Sequence, residues 1–331
     1  MKGEYLFQVR SKRMRFSFRI CRNITIIKGD SATGKTTLLT MMYEYLRSGR
    51  ESGYSVYAET DYYVYLRDEV GRNWMDVLFP LRDTIIFIEE NNNFVFSQDF
   101  AEFVKDSGNY FVIVNRAPLR MLPYSIHEIY KIAIEGQHAD LKEAWHTFQD
   151  LYSNFPMPEN NRLENVLTED SNSGYEFFQN VFIKSKVTYA GGNSNIAKEI
   201  ENNRNGDLLV IADGAAFGAM IEDCMEVLVN QKNIRISLWL PESFEYLILK
   251  SGIVSSPELT DVLDFPSDYA DSSQYISWER FFTDLLVSLT KDTVFPYSKH
   301  HLARYYLTDA CKQQIIDEFP EAIRENPSFS G

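Results

Sequence analysis

The sequence predicts an α/β protein with two parallel-sheet domains and a mostly helical C-terminal tail. Three observations favour this class. The apolar runs at residues 84–88 and 110–114 are continuous, as expected of strands buried on both faces of a parallel sheet. Segments of helical character separate such runs, which is typical of α/β domains. A second alternation of strand and helix follows from residue 165, with connections long enough for right-handed crossovers.

The elements follow in order along the chain. In the first half we predict strands at residues 5–9, 13–20, 23–28, 54–61, 84–88 and 110–114, and helices at 37–43 and 100–105. Apolar residues recur at helical spacing between 138 and 152, which predicts one connecting helix; they are Leu141, Ala144, Trp145, Phe148 and Leu151. In the second half we predict strands at 165–168, 186–189, 208–212 and 234–240, and helices at 175–182, 195–202, 218–229 and 243–249.

These elements divide the chain into four parts. Residues 1–135 form the first α/β domain, 136–160 a helical connector, 161–255 the second α/β domain, and 256–331 the mostly helical C-terminal region. A proline- and asparagine-rich stretch at residues 156–161 marks the end of the connector.

Composition limits the classes of function. The net charge of −14 argues against general electrostatic attraction to nucleic acid, although the first 28 residues are basic. No stretch approaches the ~20 apolar residues of a membrane span, and no secretory segment is evident. Three scattered cysteines fit neither a disulfide framework nor a metal cluster. We therefore expect a cytoplasmic protein without a membrane partner.

One motif indicates a ligand class. Residues 29–36 read Gly-Asp-Ser-Ala-Thr-Gly-Lys-Thr and match the phosphate-binding pattern G-x-x-x-x-G-K-[ST], between a strand-like and a helix-like run. Backbone N–H groups of such a loop surround phosphates, Lys35 reaches the β and γ phosphates, and the Thr36 hydroxyl coordinates Mg²⁺. The predicted nucleotide-binding residues are Gly29, Asp30, Ser31, Ala32, Thr33, Gly34, Lys35, Thr36 and Thr37.

Hydrolysis of a γ-phosphate also needs a metal and a carboxylate. Glu89 and Glu90 follow the apolar run at 85–88, and Asn115 ends the next apolar run. We expect Glu89 to hold the Mg²⁺ shell and Glu90 to orient water, with Lys35 and Asn115 completing the catalytic set. The alternatives stay open: the two acids open a polar turn, and Asn115 is a turn residue.

Two further acids follow strands of the second domain, Glu169 and Asp213. Carboxylates that converge at the carboxyl edge of a parallel sheet form a place for Mg²⁺. Glu242 comes after a later strand and is a third candidate ligand. Alternatively, Glu169 caps a helix and Asp213 makes an Asp-Gly turn.

These motifs carry a resemblance to known families. The loop, the Ile85-Ile86-Phe87-Ile88-Glu89-Glu90 strand and Asn115 resemble P-loop ATPases of the ABC and AAA-like class. The order of Glu169 and Asp213 resembles the Toprim domain of topoisomerases, primases and OLD-family nucleases, except that Ala215 stands where the family has a second aspartate.

The resemblance implies ATP and Mg²⁺ as cofactors and an ATPase activity that gates Mg²⁺-dependent nucleic-acid cleavage, as in compact anti-phage ATPase–Toprim proteins. The alternative is a regulatory or partner-binding module whose Toprim-like domain is inactive. ATP is the predicted ligand. A second copy, a companion protein or a nucleic acid is each an open possibility as partner.

Overall fold

The computed structural model describes residues 1–29, 33–66, 73–138, 143–159, 162–203, 206–231 and 234–328. The chain divides into two compact units. The first comprises Met1–Ser153 and Phe265–Ser277, and the second comprises Asn154–Asp264 and Trp278–Gly331. Each unit contains one β-sheet, so the expected α/β class with two sheets is confirmed at this level.

The first unit is built on a nine-stranded mixed sheet. Its strands are β1 (Tyr5–Arg10), β2 (Met14–Ile20), β3 (Ile24–Lys28), β4 (Ser55–Ala58), β5 (Tyr62–Tyr65), β6 (Ile85–Ile88), β7 (Tyr110–Val114), β8 (Ile129–His138) and β9 (Glu143–Asp150). They lie in the order β4-β1-β2-β9-β8-β3-β7-β6-β5. Strands β8, β3, β7, β6 and β5 are mutually parallel, whereas β1 runs antiparallel to both β2 and β4.

Three helices accompany this sheet, α1 (Lys35–Ser48), α2 (Trp74–Leu78) and α3 (Gln98–Ser107). Helix α1 buries Leu38, Leu39 and Met42 against the sheet, because its apolar residues recur at helical spacing. Helix α3 begins at a capped end, since the hydroxyl of Ser97 accepts from the N–H of Phe100 at 3.2 Å.

The connecting helix predicted for residues 138–152 is wrong, and with it the helical connector at 136–160. Residues Glu143–Asp150 form strand β9, which pairs with β8 on one side and β2 on the other. Leu141 lies outside the described residues. The run also fits a period of two: His146 and Phe148 stack on aromatic rings of β2, while Trp145 points to the other face and lies under Arg15. Hydrogen bonding on both edges therefore outweighs the helical spacing.

The strand predicted at residues 54–61 is present as the shorter β4, and β5, which was not predicted, lies at the opposite edge of the sheet. Strand β4 pairs with β1, and β5 pairs with β6. The first sheet is consequently mixed rather than purely parallel, because the β8–β9 hairpin joins the parallel half to the antiparallel strands.

The second unit contains a four-stranded parallel sheet. Its strands are β10 (Asn165–Thr168), β11 (Lys186–Tyr189), β12 (Leu208–Ile211) and β13 (Ile236–Trp239), in the order β11-β10-β12-β13. A helix follows each strand: α4 (Ser173–Val181), α5 (Ile196–Asn202), α6 (Ile221–Asn230) and α7 (Phe244–Lys250). All four predicted strands and helices of this region are present.

The C-terminal region is largely helical, as expected. It contributes α8 (Leu259–Asp264), α9 (Trp278–Thr290), α10 (Asp309–Asp317) and α11 (Glu321–Arg324). Aromatic side chains form much of the second unit's core: Phe178 packs against Phe244, and Trp239 packs against Phe319. Among the helices that the structure describes, none combines the length and apolar character needed to cross a bilayer.

Candidate functional site

The motif at residues 29–36 lies between β3 and α1, as predicted. Gly29 and Gly34 have φ angles of 122° and 97°, in the region where a side chain would be strained, so both positions favour glycine. Asp30, Ser31 and Ala32 lie outside the described residues. Helix α1 begins at Lys35 without a side-chain cap and without an acidic residue in its first turn. Its first N–H groups are therefore suited to an anion.

Lys35 is buried and folds back across the loop. Its Nζ donates to the carbonyl oxygen of Gly29 at 2.6 Å and contacts the Thr33 hydroxyl oxygen at 3.2 Å. Thr36 and Thr37 are exposed at the first turn of α1. The ammonium and the exposed hydroxyls thus lie at the same end of the helix.

Glu89, Glu90 and Asn115 lie at the carboxyl edge of the same sheet. Strand β7 lies between β3 and β6, with Ile27 opposite Val114. Because neighbouring strands are about 4.8 Å apart, the end of β6 is about 10 Å from the end of β3. Both acids are partly buried. This spacing suits carboxylates that act on a ligand through a metal or through water.

Glu90 and Asn115 each contact neighbouring residues of the chain. The carboxylate of Glu90 forms an ion pair with Arg116 Nε at 2.8 Å. Asn115 is buried; its Nδ2 donates to the carbonyl of Ala117 at 3.2 Å, and its Oδ1 accepts from the N–H of Arg116 at 3.0 Å. Asn115 thus stabilises the turn after β7, which is the turn role that the sequence left open.

Sequence reasoning missed a residue beside the loop. His146 on β9 is buried, and its ring stacks on Phe16 with the centroids 4.5 Å apart. A Cβ at Gly34 would lie 3.5 Å from the Phe16 ring and 3.8 Å from His146 Cδ2. The mistaken helix prediction concealed this contact, because it placed His146 outside the sheet.

In the second unit, Glu169 and Asp213 lie together at the carboxyl edge of the sheet. Thr168 and Ile211 are opposite each other in the paired strands β10 and β12. Glu169 follows Thr168 directly, and Asp213 comes two residues after Ile211. The backbone N–H of Asp213 lies on the side of the Glu169 carboxyl and lowers its pKa. The Asp213 carboxylate in turn accepts from the N–H of Phe244 at 3.2 Å. Neighbouring strand ends bring these acids together, as the sequence predicted.

The surroundings favour the neutral forms of these acids. Burial raises the pKa of the Glu169 carboxyl to about 7, and the charge of Glu279 acts in the same direction. Burial raises the pKa of Asp213 well above its ordinary value, with further increases from Glu279 and Glu245. The charge of Lys299 lowers the pKa of both Glu169 and Asp213 and so opposes these effects.

The structure adds further residues to this cluster. Glu245 on α7 is buried, and its Oε1 accepts from the Tyr297 hydroxyl at 2.8 Å. Lys299 donates to Glu279 Oε1 at 2.5 Å. Burial alone would lower the pKa of Lys299, but the carboxylates of Glu279, Glu245 and Asp213 outweigh it and raise that pKa. No local sequence signal identifies Lys299.

The cluster borders a small cavity. Glu169, Asp170, Asp213, Glu245 and Lys299 line it, whereas Glu242 is not among the lining residues. The volume is about 40 Å³, room for about three water molecules. Within the described ranges, no group of three or more His, Cys, Asp or Glu side chains is arranged to hold a metal ion.

Comparison of the chain with protein-family models, curated proteins and solved structures finds no match.

Proposed function

We propose that the chain is an ATP-binding and ATP-hydrolysing protein, with the nucleotide held by the loop between β3 and α1. The observation that carries this proposal is Lys35 at the first residue of a 14-residue helix that follows a glycine-containing loop. A helix N-terminus offers unpaired N–H groups and partial positive charge, both suited to phosphate.

The described part of the loop fits a triphosphate with Mg²⁺. Gly29 and Gly34 adopt backbone conformations that let the chain pass close to a ligand, and the Thr36 hydroxyl is exposed at the helix start. Mg²⁺ would supply charge neutralisation on the phosphates. Thr36 and Glu89 are the oxygen donors that would hold it, and oxygen ligands are those Mg²⁺ prefers.

The remaining roles follow from the order of the strands. Lys35 would contact the β and γ phosphates, and Glu90 would orient the attacking water. Asn115 ends the strand between β3 and β6, so a rearrangement of its turn would respond to the γ-phosphate.

Calorimetric titration with ATP and Mg²⁺ tests the nucleotide site. We expect wild type to bind and Lys35→Ala to lose at least tenfold in affinity, because the ammonium contacts the most highly charged phosphates. Lys105→Ala is the matched control, since Lys105 is an exposed lysine on α3. Equal affinities for all three proteins would reject the assignment.

For the second unit we propose a regulatory, partner-binding role that depends on the nucleotide state of the first, rather than cleavage of nucleic acid. Two observations support this choice over the nuclease alternative. The position of the second family aspartate is the buried Ala215. The acidic cavity of about 40 Å³ is also far smaller than ligand pockets of roughly 300–1,000 Å³.

A nuclease assay distinguishes the two roles. Pure protein with ATP and either Mg²⁺ or Mn²⁺ should leave single- and double-stranded DNA and RNA intact. Cleavage that Asp213→Ala abolishes and Lys35→Ala reduces would instead establish the ATP-gated nuclease.

A further inference from the structure

A lysine side chain reaches into the acidic cavity of the second unit. Lys299 lines the cavity with Glu169, Asp213 and Glu245, and its Nζ lies 2.5 Å from Glu279 Oε1. The side chains of Lys299 and Glu279 are only 31% and 20% exposed, so water screens their attraction less than at an open surface.

The four carboxyl groups of this cluster repel one another when they are ionised. Glu279 and Glu245 raise the pKa of Asp213, and Glu279 raises that of Glu169, so like charges oppose one another throughout the cluster. Lys299 acts against this repulsion at three of them, because its charge lowers the pKa of Glu169, Asp213 and Glu245. One ammonium is thus shared by the cluster.

Hydrogen bonds hold the segment that carries Lys299 against its neighbours. Its backbone carbonyl accepts from the N–H of Ser173 at 2.9 Å, at the first residue of α4. Two residues earlier, the Tyr297 hydroxyl lies 2.8 Å from the Glu245 carboxylate and 2.5 Å from the Ser173 hydroxyl. Beyond it, the N–H of Leu302 donates to the Glu176 carboxylate at 2.8 Å. The ammonium is therefore held by the fold of residues 297–302.

We infer that residues 297–302 form an internal plug, in which the Lys299 ammonium is the resident counter-cation of the acidic cavity and excludes divalent cations from it. The ammonium donates directly to a carboxylate, and a charge-assisted bond of this kind is strong. A divalent ion entering the cavity would meet a positive charge. Without the ammonium, the same acids would offer oxygen donors, which Mn²⁺ or Mg²⁺ prefers, and negative charge with no counter-cation. As the described structure places them they are not arranged around a metal ion, so they would have to draw together to bind one.

The inference deepens the proposed non-nucleolytic role of the second unit and rests on it for its biological meaning. The test measures metal binding, so the plug and the non-nucleolytic role can be rejected independently of each other. Nucleic-acid cleavage by wild type would reject the non-nucleolytic role, whereas metal binding without cleavage would reject only the plug.

The experiment is a Mn²⁺ titration of the full chain without nucleotide, followed by electron paramagnetic resonance of free Mn²⁺. Wild type should show no binding that depends on Asp213. Lys299→Met should gain a site at least tenfold tighter than any in wild type, and Asp213→Asn in that background should remove it. Lys291→Met is the matched control, because Lys291 is an exposed lysine just after α9.

Each outcome of these titrations either supports or overturns the plug. Mn²⁺ binding by wild type that Asp213→Asn abolishes would overturn the plug, as would identical titrations of folded Lys299→Met and Lys291→Met. If Lys299→Met does not fold alone, refolding with Mn²⁺ but not with an equal ionic strength of Na⁺ supports the inference. Failure to refold with either cation counts against it.

Discussion

Replacing Glu169 by glutamine should stabilise the second unit at high pH and have little effect at low pH. In the folded protein, burial holds the pKa of this carboxyl at about 7, above its ordinary value of 4.5. A carboxyl with a raised pKa binds its proton more tightly when folded, so its favourable contribution is complete below pH 4.5. That contribution is lost as the pH rises from about 4.5 to about 7.

The magnitude follows from the same two values. One pKa unit corresponds to about 1.4 kcal/mol, so the rise from 4.5 to about 7 corresponds to a cost of roughly 3 kcal/mol for the ionised form. Glutamine avoids this cost because it stays neutral. We therefore expect Glu169→Gln to exceed wild type in stability by up to about 3 kcal/mol at pH 8.

The assay is urea unfolding at several pH values between 4.5 and 8.5, followed by hydrogen exchange of peptides from β10 and β12. Peptides from β6 and β7, in the first unit, serve as an internal reference. Glu258→Gln is the control variant, because Glu258 is an exposed carboxylate of the second unit. The reasoning fails if the advantage of Glu169→Gln does not grow between pH 5 and pH 8, or if Glu258→Gln gains equally.

Three further predictions concern the predicted nucleotide-binding loop, the acid pair after β6 and the buried Glu245. Gly34→Ala should lose roughly 1–2 kcal/mol of stability through its positive φ, and it should also lose ATP affinity in calorimetry. Gly53 has a φ of 77° and open space around it, so Gly53→Ala should lose stability alone. Glu90→Gln should abolish phosphate release while retaining ATP binding, and turnover at the wild-type rate would remove Glu90 from the mechanism. Arg116→Ala removes the half-exposed ion pair with Glu90 and should change the unfolding free energy by less than about 1 kcal/mol. Tyr297→Phe removes the hydroxyl donor of the buried Glu245 carboxylate and should cost about 1–3 kcal/mol in the same urea assay, so an unchanged midpoint would contradict the hydrogen bond.

The parts of the fold that local sequence controls were predictable. The apolar runs that became β6 and β7 are buried along their whole length, and few other structures accommodate such runs. The phosphate loop was equally predictable, because Gly34 must adopt a positive φ directly before the helix begins. In the second sheet, Glu169 and Asp213 follow strands that pair directly, so their proximity follows from strand order.

The β8–β9 hairpin was not predictable by the same reasoning. Ala144, Trp145 and Phe148 fit a helical period and a period of two, and the sequence alone does not choose between them. The choice was made by pairing with β2 and β8, which hydrogen-bonds β9 on both edges. Its consequence reaches the predicted nucleotide-binding loop, because β9 carries His146 to the side of Gly34.

The acidic cavity shows why the character of a site depends on distant residues. Glu169, Asp213 and Glu245 lie at sequence positions that suit a metal site, and nothing in their neighbourhoods distinguishes a divalent cation from an ammonium as the counter-charge. The distinction comes from Lys299, which the fold returns to the carboxyl edge of the sheet through the hydrogen bond between its carbonyl and Ser173. Because a buried cluster of like charges is stable only with a partner, the residue that supplies the cation determines the chemistry open to the acids. Residue types at strand ends therefore predict where charge gathers, and the packing of a remote segment determines what that charge binds.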